Sequence, residues 1–423
     1  MKKIHQNAAG IDIGSKQLFV ALEGKDVKVF DSFTEDIFSI GQYLLDNDVT
    51  TVAMEATGSY WFVLYDVLAE HCELDVWLVD GRQTKQLPGR KTDVKDCQWI
   101  QQLHSYGLLN KCHVASGSLK ELRSYQRLRE DHIRSASMHV NHMQKALVQM
   151  NIKLTEVLSQ VHGTSGMRMI KAILAGERDK DKLLELCQSI IKKTKGEQVL
   201  KALEGHYTED GLFMLKQAHD AYFFYQDQIA QCDKKLSDVL NKINKDKGDK
   251  TYINPLEKGK RKVIRHNRPD IDNLGEHLLK MSGGRDAQTL PGITDYTWLK
   301  LISEIGINLH KWPTEKHFTS WLGLAPGQHH SGKMKRNKKK GRPTAGELFK
   351  IAAQSVVESK KLALGAFGRR LRAKKGPAKA IKAVARKIAT QYWFLMVKGN
   401  DYVEKGVEHY QEQMMASKIK AIN

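Results

Sequence analysis

The stretch Ala8-Ala9-Gly10-Ile11-Asp12-Ile13-Gly14-Ser15-Lys16-Gln17-Leu18-Phe19-Val20-Ala21-Leu22 decides the fold. It reads as a strand, a tight turn and a second strand. Ile11 and Ile13 flank Asp12, and strand alternation turns the carboxylate to the opposite face. Gly14-Ser15 is turn chemistry, and the run from Leu18 to Leu22 is apolar. An acid within a strand is costly to bury unless it is paired or holds a metal.

Three readings of Asp12 stand at this point. It is a surface-facing acid at a strand end, part of the phosphate-binding turn of an actin-like or sugar kinase, or the first metal ligand of an RNase H-like nuclease. The elements that follow separate them. Residues 27–30 read as a third strand, and Thr34-Glu35-Asp36 opens a helix to about Leu45. Residues 51–55 form a fourth strand ending in Glu55. A helix from Gly58-Ser59 to about Glu70, a fifth strand over 74–79 and a helix from Lys95 to about Leu108 complete the region. Three strands, helix, strand, helix, strand, helix is the element order of an α/β RNase H-like domain with a mixed sheet.

The acids fall where such a domain would use them. Asp12 sits on the first strand and Glu55 at the end of the fourth. Asp93 and Asp96 open the last helix, three apart and so on one face of it. Taken alone, Asp93 reads equally well as a helix cap, with Asp96 on the dipole. Four carboxylates converging in one cleft repel one another, and hard oxygen ligands suit Mg²⁺ or Mn²⁺. Two such ions about 4 Å apart clamp the attacking and leaving oxygens of a phosphodiester. No second glycine-rich phosphate loop follows a later strand, which counts against a kinase.

At 423 residues the chain has room for two or three domains. Its net charge of +20 and pI near 9.5 point to a polyanionic partner. The charge is uneven. Residues 1–110 hold 10 Lys/Arg against 16 Asp/Glu, net −6, whereas residues 331–387 hold 19 against 2, net +17. An acidic front and a basic back fit a metal-binding core joined to a phosphate-binding surface. Cys72, Cys97, Cys112, Cys187 and Cys232 form no CxxC pair and read as ordinary thiols of a reducing cytosol. Neither a signal peptide nor a membrane-spanning run is expected, and the expected location is the cytoplasm.

A regular apolar seam runs through Ile133, Ala136, Val140, Met143, Leu147, Met150, Leu154 and Val157. Another runs through Leu215, Ala218, Tyr222, Tyr225, Ile229, Cys232, Leu236, Val239 and Ile243. Sustained spacing of three and four predicts a coiled coil, either an antiparallel hairpin within the chain or a contact between subunits. Residues 160–210 read as helical, with a turn at Gly163-Thr164-Ser165-Gly166, and residues 245–268 as a basic linker.

Leu290-Pro291-Gly292-Ile293, before a helical run from Leu299, resembles a helix-hairpin-helix turn, whose amides hold DNA phosphates without reading sequence. After Phe318 to Gly332 comes a cationic loop with Lys333, Lys335, Arg336, Lys338, Lys339, Lys340 and Arg342. Ser331 lies between His329-His330 and that loop. A hydroxyl there could attack phosphorus given activation and charge neutralisation, although Ser-Gly alone is most often a turn.

The chain resembles the DEDD-type insertion-sequence transposases, the family of Piv-like DNA invertases and bridge-RNA-guided serine recombinases. The resemblance rests on Gly10-Ile11-Asp12-Ile13-Gly14-Ser15, Met54-Glu55-Ala56-Thr57-Gly58, Lys91-Thr92-Asp93 with Asp96, Pro291-Gly292-Ile293, and Gly323-Leu324-Ala325-Pro326 with Ser331-Gly332. Leu364-Gly365-Ala366-Phe367 with Arg369-Arg370, Gly376-Pro377 and Lys379-Ala380 resembles one subgroup. Cys97 stands where the family often has Ala.

The resemblance implies a RuvC-like catalytic domain over 1–110, a helical coiled-coil region with a basic linker over 111–280, and a mainly helical transposase domain over 281–423. It implies that Asp12, Glu55, Asp93 and Asp96 bind Mg²⁺ or Mn²⁺, and that Ser331 links covalently to DNA. The Lys333–Arg342 cations, with Arg369 and Arg370, are expected at nucleic acid. The implied partners are element and target DNA, a structured guide RNA and further copies of the chain as a dimer or tetramer, in a prokaryotic, nucleoid-associated setting. Two alternatives remain: a Holliday-junction-type endonuclease using metal-activated water, and a non-catalytic nucleic-acid scaffold.

Overall fold

The computed structural model describes residues 2–84, 92–245, 266–326, 330–331, 334–335 and 343–399, with isolated positions between 412 and 419. The chain divides into two compact units, Met1–Val114 and Ala115–Asn423.

The first unit runs β1 (Ala8–Ile13), β2 (Gln17–Ala21), β3 (Lys28–Asp31), α1 (Thr34–Leu45), β4 (Thr51–Glu55), α2 (Trp61–Asp66), β5 (Asp75–Val79), α3 (Gly81–Thr84) and α4 (Asp93–Ser105). The sheet order is β3-β2-β1-β4-β5. The β1–β2 and β2–β3 pairs are antiparallel, and β1–β4 and β4–β5 are parallel. This mixed five-stranded sheet is the arrangement expected of an RNase H-like domain.

Period-two alternation sorts the sheet residues between two helical layers. Ala9, Ile11, Ile13, Val52, Met54, Val76 and Leu78 are buried with residues of α1 and α2. On the other face Ala53 and Val79 pack with Ile100 and Leu103 of α4. Burying each such aliphatic side chain contributes roughly 1.5–3 kcal/mol.

Several boundaries differ from the sequence reading, and α4 opens at Asp93 rather than Lys95. The helix expected from Gly58-Ser59 begins at Trp61 and ends in a π-helical turn, Val67–His71. α4 stops at Ser105, because Gly107 takes a φ of 67° and the Leu108 amide folds back on the Leu103 carbonyl at 2.9 Å. That is a glycine-terminated helix end, which needs no side chain to satisfy the last carbonyls.

The second unit is almost wholly helical: α5 (Gly117–Gln149), α6 (Leu154–Val157), α7 (Thr164–Leu174), α8 (Lys180–Glu185), α9 (Ser189–Ala202), α10 (Glu209–Lys245), α11 (Leu274–Met281), α12 (Asp295–Ile305) and α13 (Glu315–Trp321), then a short hairpin β6 (His330–Ser331) and β7 (Met334–Lys335), and α14 (Thr344–Glu358), α15 (Ala363–Lys375) and α16 (Pro377–Lys398). α5 and α10 pack antiparallel within the chain. Glu121 meets Lys242 at 3.2 Å, Arg129 pairs with Asp233, and His139 stacks on Tyr225 at 5.6 Å.

At 1.5 Å per residue this pair is roughly 50 Å long. It joins two cores. One is built with α6, α7, α8 and α9, and the other with the helices from α11 onward.

The first seam does not stay on one helix. α5 ends at Gln149, Asn151 adopts a left-handed φ of 56°, and Leu154 and Val157 belong to α6. Upstream, the stripe extends to the buried Leu122, Gln126 and Arg129. The expected turn at 163–166 is instead a helix start, because α7 begins at Thr164 with Gly163 as its cap. The 245–268 linker lies mostly outside the described residues. Among the described residues no helix is long and apolar enough to cross a membrane.

Candidate active site

The site is set by how α4 lies on the sheet. Gly10 pairs with Ala53 and Ile11 with Met54 across the parallel β1–β4 ladder. One residue further, Asp12 and Glu55 stand side by side at the carboxyl ends of neighbouring strands. Alternation turns both toward the α4 face. A methyl group at Gly10 would lie 2.3 Å from the Gln101 nitrogen and 2.5 Å from the Cys97 carbonyl oxygen. The helix backbone therefore rests directly on β1, which is possible only because Gly10 has no side chain. The Gln101 side-chain Nε2 also donates to the Ala8 carbonyl at 3.2 Å. With Gln101 over Ala8 and Cys97 over Gly10, the start of α4 comes over Asp12.

That start is capped by Thr92, whose hydroxyl accepts the Lys95 amide at 3.3 Å. Asp93 is therefore not the cap. Asp93 and Asp96 occupy the first turn, where the helix dipole favours negative charge.

Burial and neighbouring charge both act on Asp12. Asp12 is pushed up to about 6, first by burial and then by the charges of Asp93, Asp96 and Glu55, against a smaller opposing pull from the Ile13 backbone. Burial, followed by the Asp12 charge, pushes the Cys97 thiol up to about 12, so this cysteine is no thiolate nucleophile. Glu55 is held from outside the four acids: the Thr84 hydroxyl donates to its Oε2 at 2.6 Å.

Among the described residues, no three His, Cys, Asp or Glu side chains are close enough to hold an ion as they stand. The donors nevertheless suit a divalent cation. They are hard carboxylate oxygens at one end of a sheet, and burial, followed by the neighbouring carboxylates, raises the proton affinity of Asp12.

Ser331 lies in the second unit. It is on β6, opposite Met334 of β7, in a hairpin between α13 and α14. A methyl group at Gly346 in α14 would lie 2.2 Å from the Leu322 carbonyl, so α14 packs tightly on the chain just after α13. Lys335 is on β7, while Lys333, Arg336, Lys338, Lys339, Lys340 and Arg342 lie outside the described residues.

Arg369 has a structural task. Its guanidinium donates to the Val357 carbonyl at 3.0 Å and to that of Ser359, closing the end of α14. Arg370 is exposed on α15. Residues 360–398 contain twelve Lys/Arg and no Asp or Glu, and Arg372 of this segment reaches Glu358. The Pro291-Gly292 turn precedes α12. Gly292 has a φ of 76°, and a methyl group there would meet the Ala352 carbonyl at 2.7 Å.

Sequence reasoning did not single out Thr84, Gly81 or Gln101. The signal for Gly10 and Gln101 was a glycine inside an otherwise apolar strand, which marks a close backbone approach. Nothing local marks Thr84, whose partner is 29 residues away.

Two family models match the chain. One, described as a transposase and belonging to the DEDD IS110 type, covers residues 9–152, which include all four acids. The other, described as transposase IS116/IS110/IS902 family, covers residues 285–367, which include Ser331. No match was found among the curated proteins. The two matches together span more than half of the sequence, in the same order as the motifs, and the chain belongs to the IS110-type family of DEDD transposases.

Proposed function

We propose that this transposase breaks and rejoins DNA through a phosphoserine intermediate, with Asp12, Glu55, Asp93 and Asp96 holding Mg²⁺ or Mn²⁺ and Ser331 as nucleophile. The observation that carries the reading is the raised proton affinity of Asp12, produced by burial and by the other three acids of the set. The bound cation would neutralise the scissile phosphate and favour the ionised hydroxyl.

Ser331 Oγ, from this or a partner subunit, forms a bond to phosphorus, and the bond to the departing deoxyribose oxygen breaks. The phosphodiester is exchanged rather than hydrolysed. A deoxyribose hydroxyl from the second DNA then displaces the serine, so strand exchange needs no external energy source. The Lys/Arg residues of 333–342, next to Ser331 in sequence, and those of the acid-free segment 360–398 supply cations for the DNA backbone and for a structured guide RNA that pairs with donor and target. Two DNA partners require at least two active sites, hence a dimer or tetramer.

The test is denaturing electrophoresis of labelled element DNA after reaction. A slow-migrating protein–DNA band should form with the wild type and Mg²⁺, and disappear with Ser331→Ala while DNA binding persists. Free cleaved strands without an adduct, made equally well by Ser331→Ala, would replace this reading with a water-using endonuclease. No metal-dependent cleavage at all would leave a nucleic-acid scaffold.

A further inference from the structure

We propose that Thr84 and Gly81, on the short turn after β5, are positioning residues that fix the carboxylate of Glu55 for divalent-cation binding; this rests on the reading of Glu55 as a metal ligand. The two residues act on the two oxygens separately. Thr84 Oγ1 donates to Oε2 at 2.6 Å, a shorter contact than its 3.1 Å approach to the Gly81 carbonyl. On the other side, a methyl group at Gly81 would lie 2.2 Å from Oε1 and 2.7 Å from Cδ. Gly81 therefore provides the space into which the carboxylate swings, and Thr84 holds it there.

The turn itself is anchored. Asp80 accepts the Arg82 amide at 3.0 Å, and the Gln83 side chain exchanges hydrogen bonds with Asn110, at 2.7 Å to its amide and 3.2 Å from its carbonyl. Thr84 is 7% exposed, so water competes little for its hydroxyl. A carboxylate with one oxygen engaged by a fixed hydroxyl is held in a single orientation, and loss of such a partner typically weakens metal binding by about 10–100-fold.

The experiment measures Mn²⁺ binding by electron paramagnetic resonance and the Mg²⁺ concentration for half-maximal DNA cleavage, on the full chain. Thr84→Val, which keeps the shape and removes the hydroxyl, should weaken Mn²⁺ binding about 10–100-fold. It should raise the Mg²⁺ requirement in parallel, with cleavage near wild type at saturating Mg²⁺. Thr84→Ser should restore both. Gly81→Ala should reproduce the loss by displacing the carboxylate. Melting temperatures without metal serve as the folding control.

If Glu55→Gln loses Mn²⁺ binding while Thr84→Val and Gly81→Ala bind as wild type, the positioning role is wrong and the metal-ligand reading stands. If Glu55→Gln itself binds Mn²⁺ as wild type does, the ligand reading fails and takes this inference with it. Equal losses in Thr84→Val and Thr84→Ser would also overturn it, since the hydroxyl would then not be the cause.

Discussion

Gly10 and Gln101 are in backbone contact: a methyl group on Gly10 would lie 2.3 Å from the Gln101 nitrogen. A strand and a helix meet there with nothing between them, and the height of α4 above the sheet is set at that point. Gly10→Ala must therefore lift or rotate α4. Overpacking of this kind costs roughly 1–3 kcal/mol. Since α4 carries Asp93 and Asp96, the variant should lose divalent-cation binding as well as stability. Denaturant unfolding with and without Mg²⁺ measures both, and a variant that unfolds like wild type and keeps its Mg²⁺ response would show that the contact does not position the acids.

The pH dependence follows from Asp12. Its folded value is raised to about 6 from an ordinary 3.8. The native state therefore binds this proton more tightly than the unfolded chain does. Without metal, the contribution of Asp12 to stability is fully present below about pH 4 and is lost as the pH rises through about 6. After allowance for solvent, the loss is about 1–2 kcal/mol. A divalent cation offsets it by replacing the proton, so the melting-temperature gain from Mg²⁺ should be larger at pH 7.5 than at pH 5. Asp12→Asn should remove the metal-free slope. A Mg²⁺ gain independent of pH in the wild type contradicts the assignment.

The sheet was legible because its signals are local. Alternation around Asp12 and apolar runs over the other strands are properties of neighbouring residues, and they place all four acids on strands or at a helix start. The identity of the cap was not decided by that pattern. Asp93 and Thr92 are both good caps in sequence, and only the Thr92 hydroxyl on the Lys95 amide chooses between them.

The seam reading failed at Asn151 for a related reason. The spacing of three and four continues through Met150, Leu154 and Val157, all buried, but apolar spacing does not register a single left-handed residue that ends one helix and starts another. Upstream, the buried Gln126 and Arg129 continue the spacing with polar side chains, so a hydrophobic pattern stops short of them. Thr84, finally, is fixed by a partner across the chain, and no window of sequence contains both.

The basic segments lead to a salt prediction. Each Lys or Arg that neutralises a phosphate releases about one counterion, and log affinity falls with log salt by about 0.9 per contact on duplex DNA. Changing Lys338, Lys339 and Lys340 together to Ala should reduce that slope by two to three if all three meet phosphate. Arg369→Ala should act differently, because its guanidinium holds the Val357 and Ser359 carbonyls. It should lower the melting temperature more than it lowers the slope. Fluorescence anisotropy across a salt series separates the two, and an unchanged slope for the triple variant places the phosphate contacts elsewhere.

The last prediction concerns the ion pair inside the helical unit. Arg129 is 1% and Asp233 4% exposed, and they join α5 to α10. The guanidinium also donates to the Tyr296 hydroxyl at 2.8 Å and the Asn267 carbonyl at 3.0 Å, while Asp233 accepts the Asp270 amide at 3.1 Å. The pair therefore ties the long helices to α12 and to the segment just before α11. Removing one partner leaves a buried charge unmatched, which costs about 3–5 kcal/mol. Arg129→Met should incur that penalty, because among the described residues Asp233 then keeps the Asp270 amide alone. Arg129→Met with Asp233→Leu removes both charges and should recover much of the loss, since apolar replacement of a whole buried pair is often close to neutral. Urea unfolding of the two single variants and the double variant closes the cycle. If Arg129→Met alone unfolds like wild type, the pair is not what holds the helices to α12, and the apolar seam carries that joint by itself.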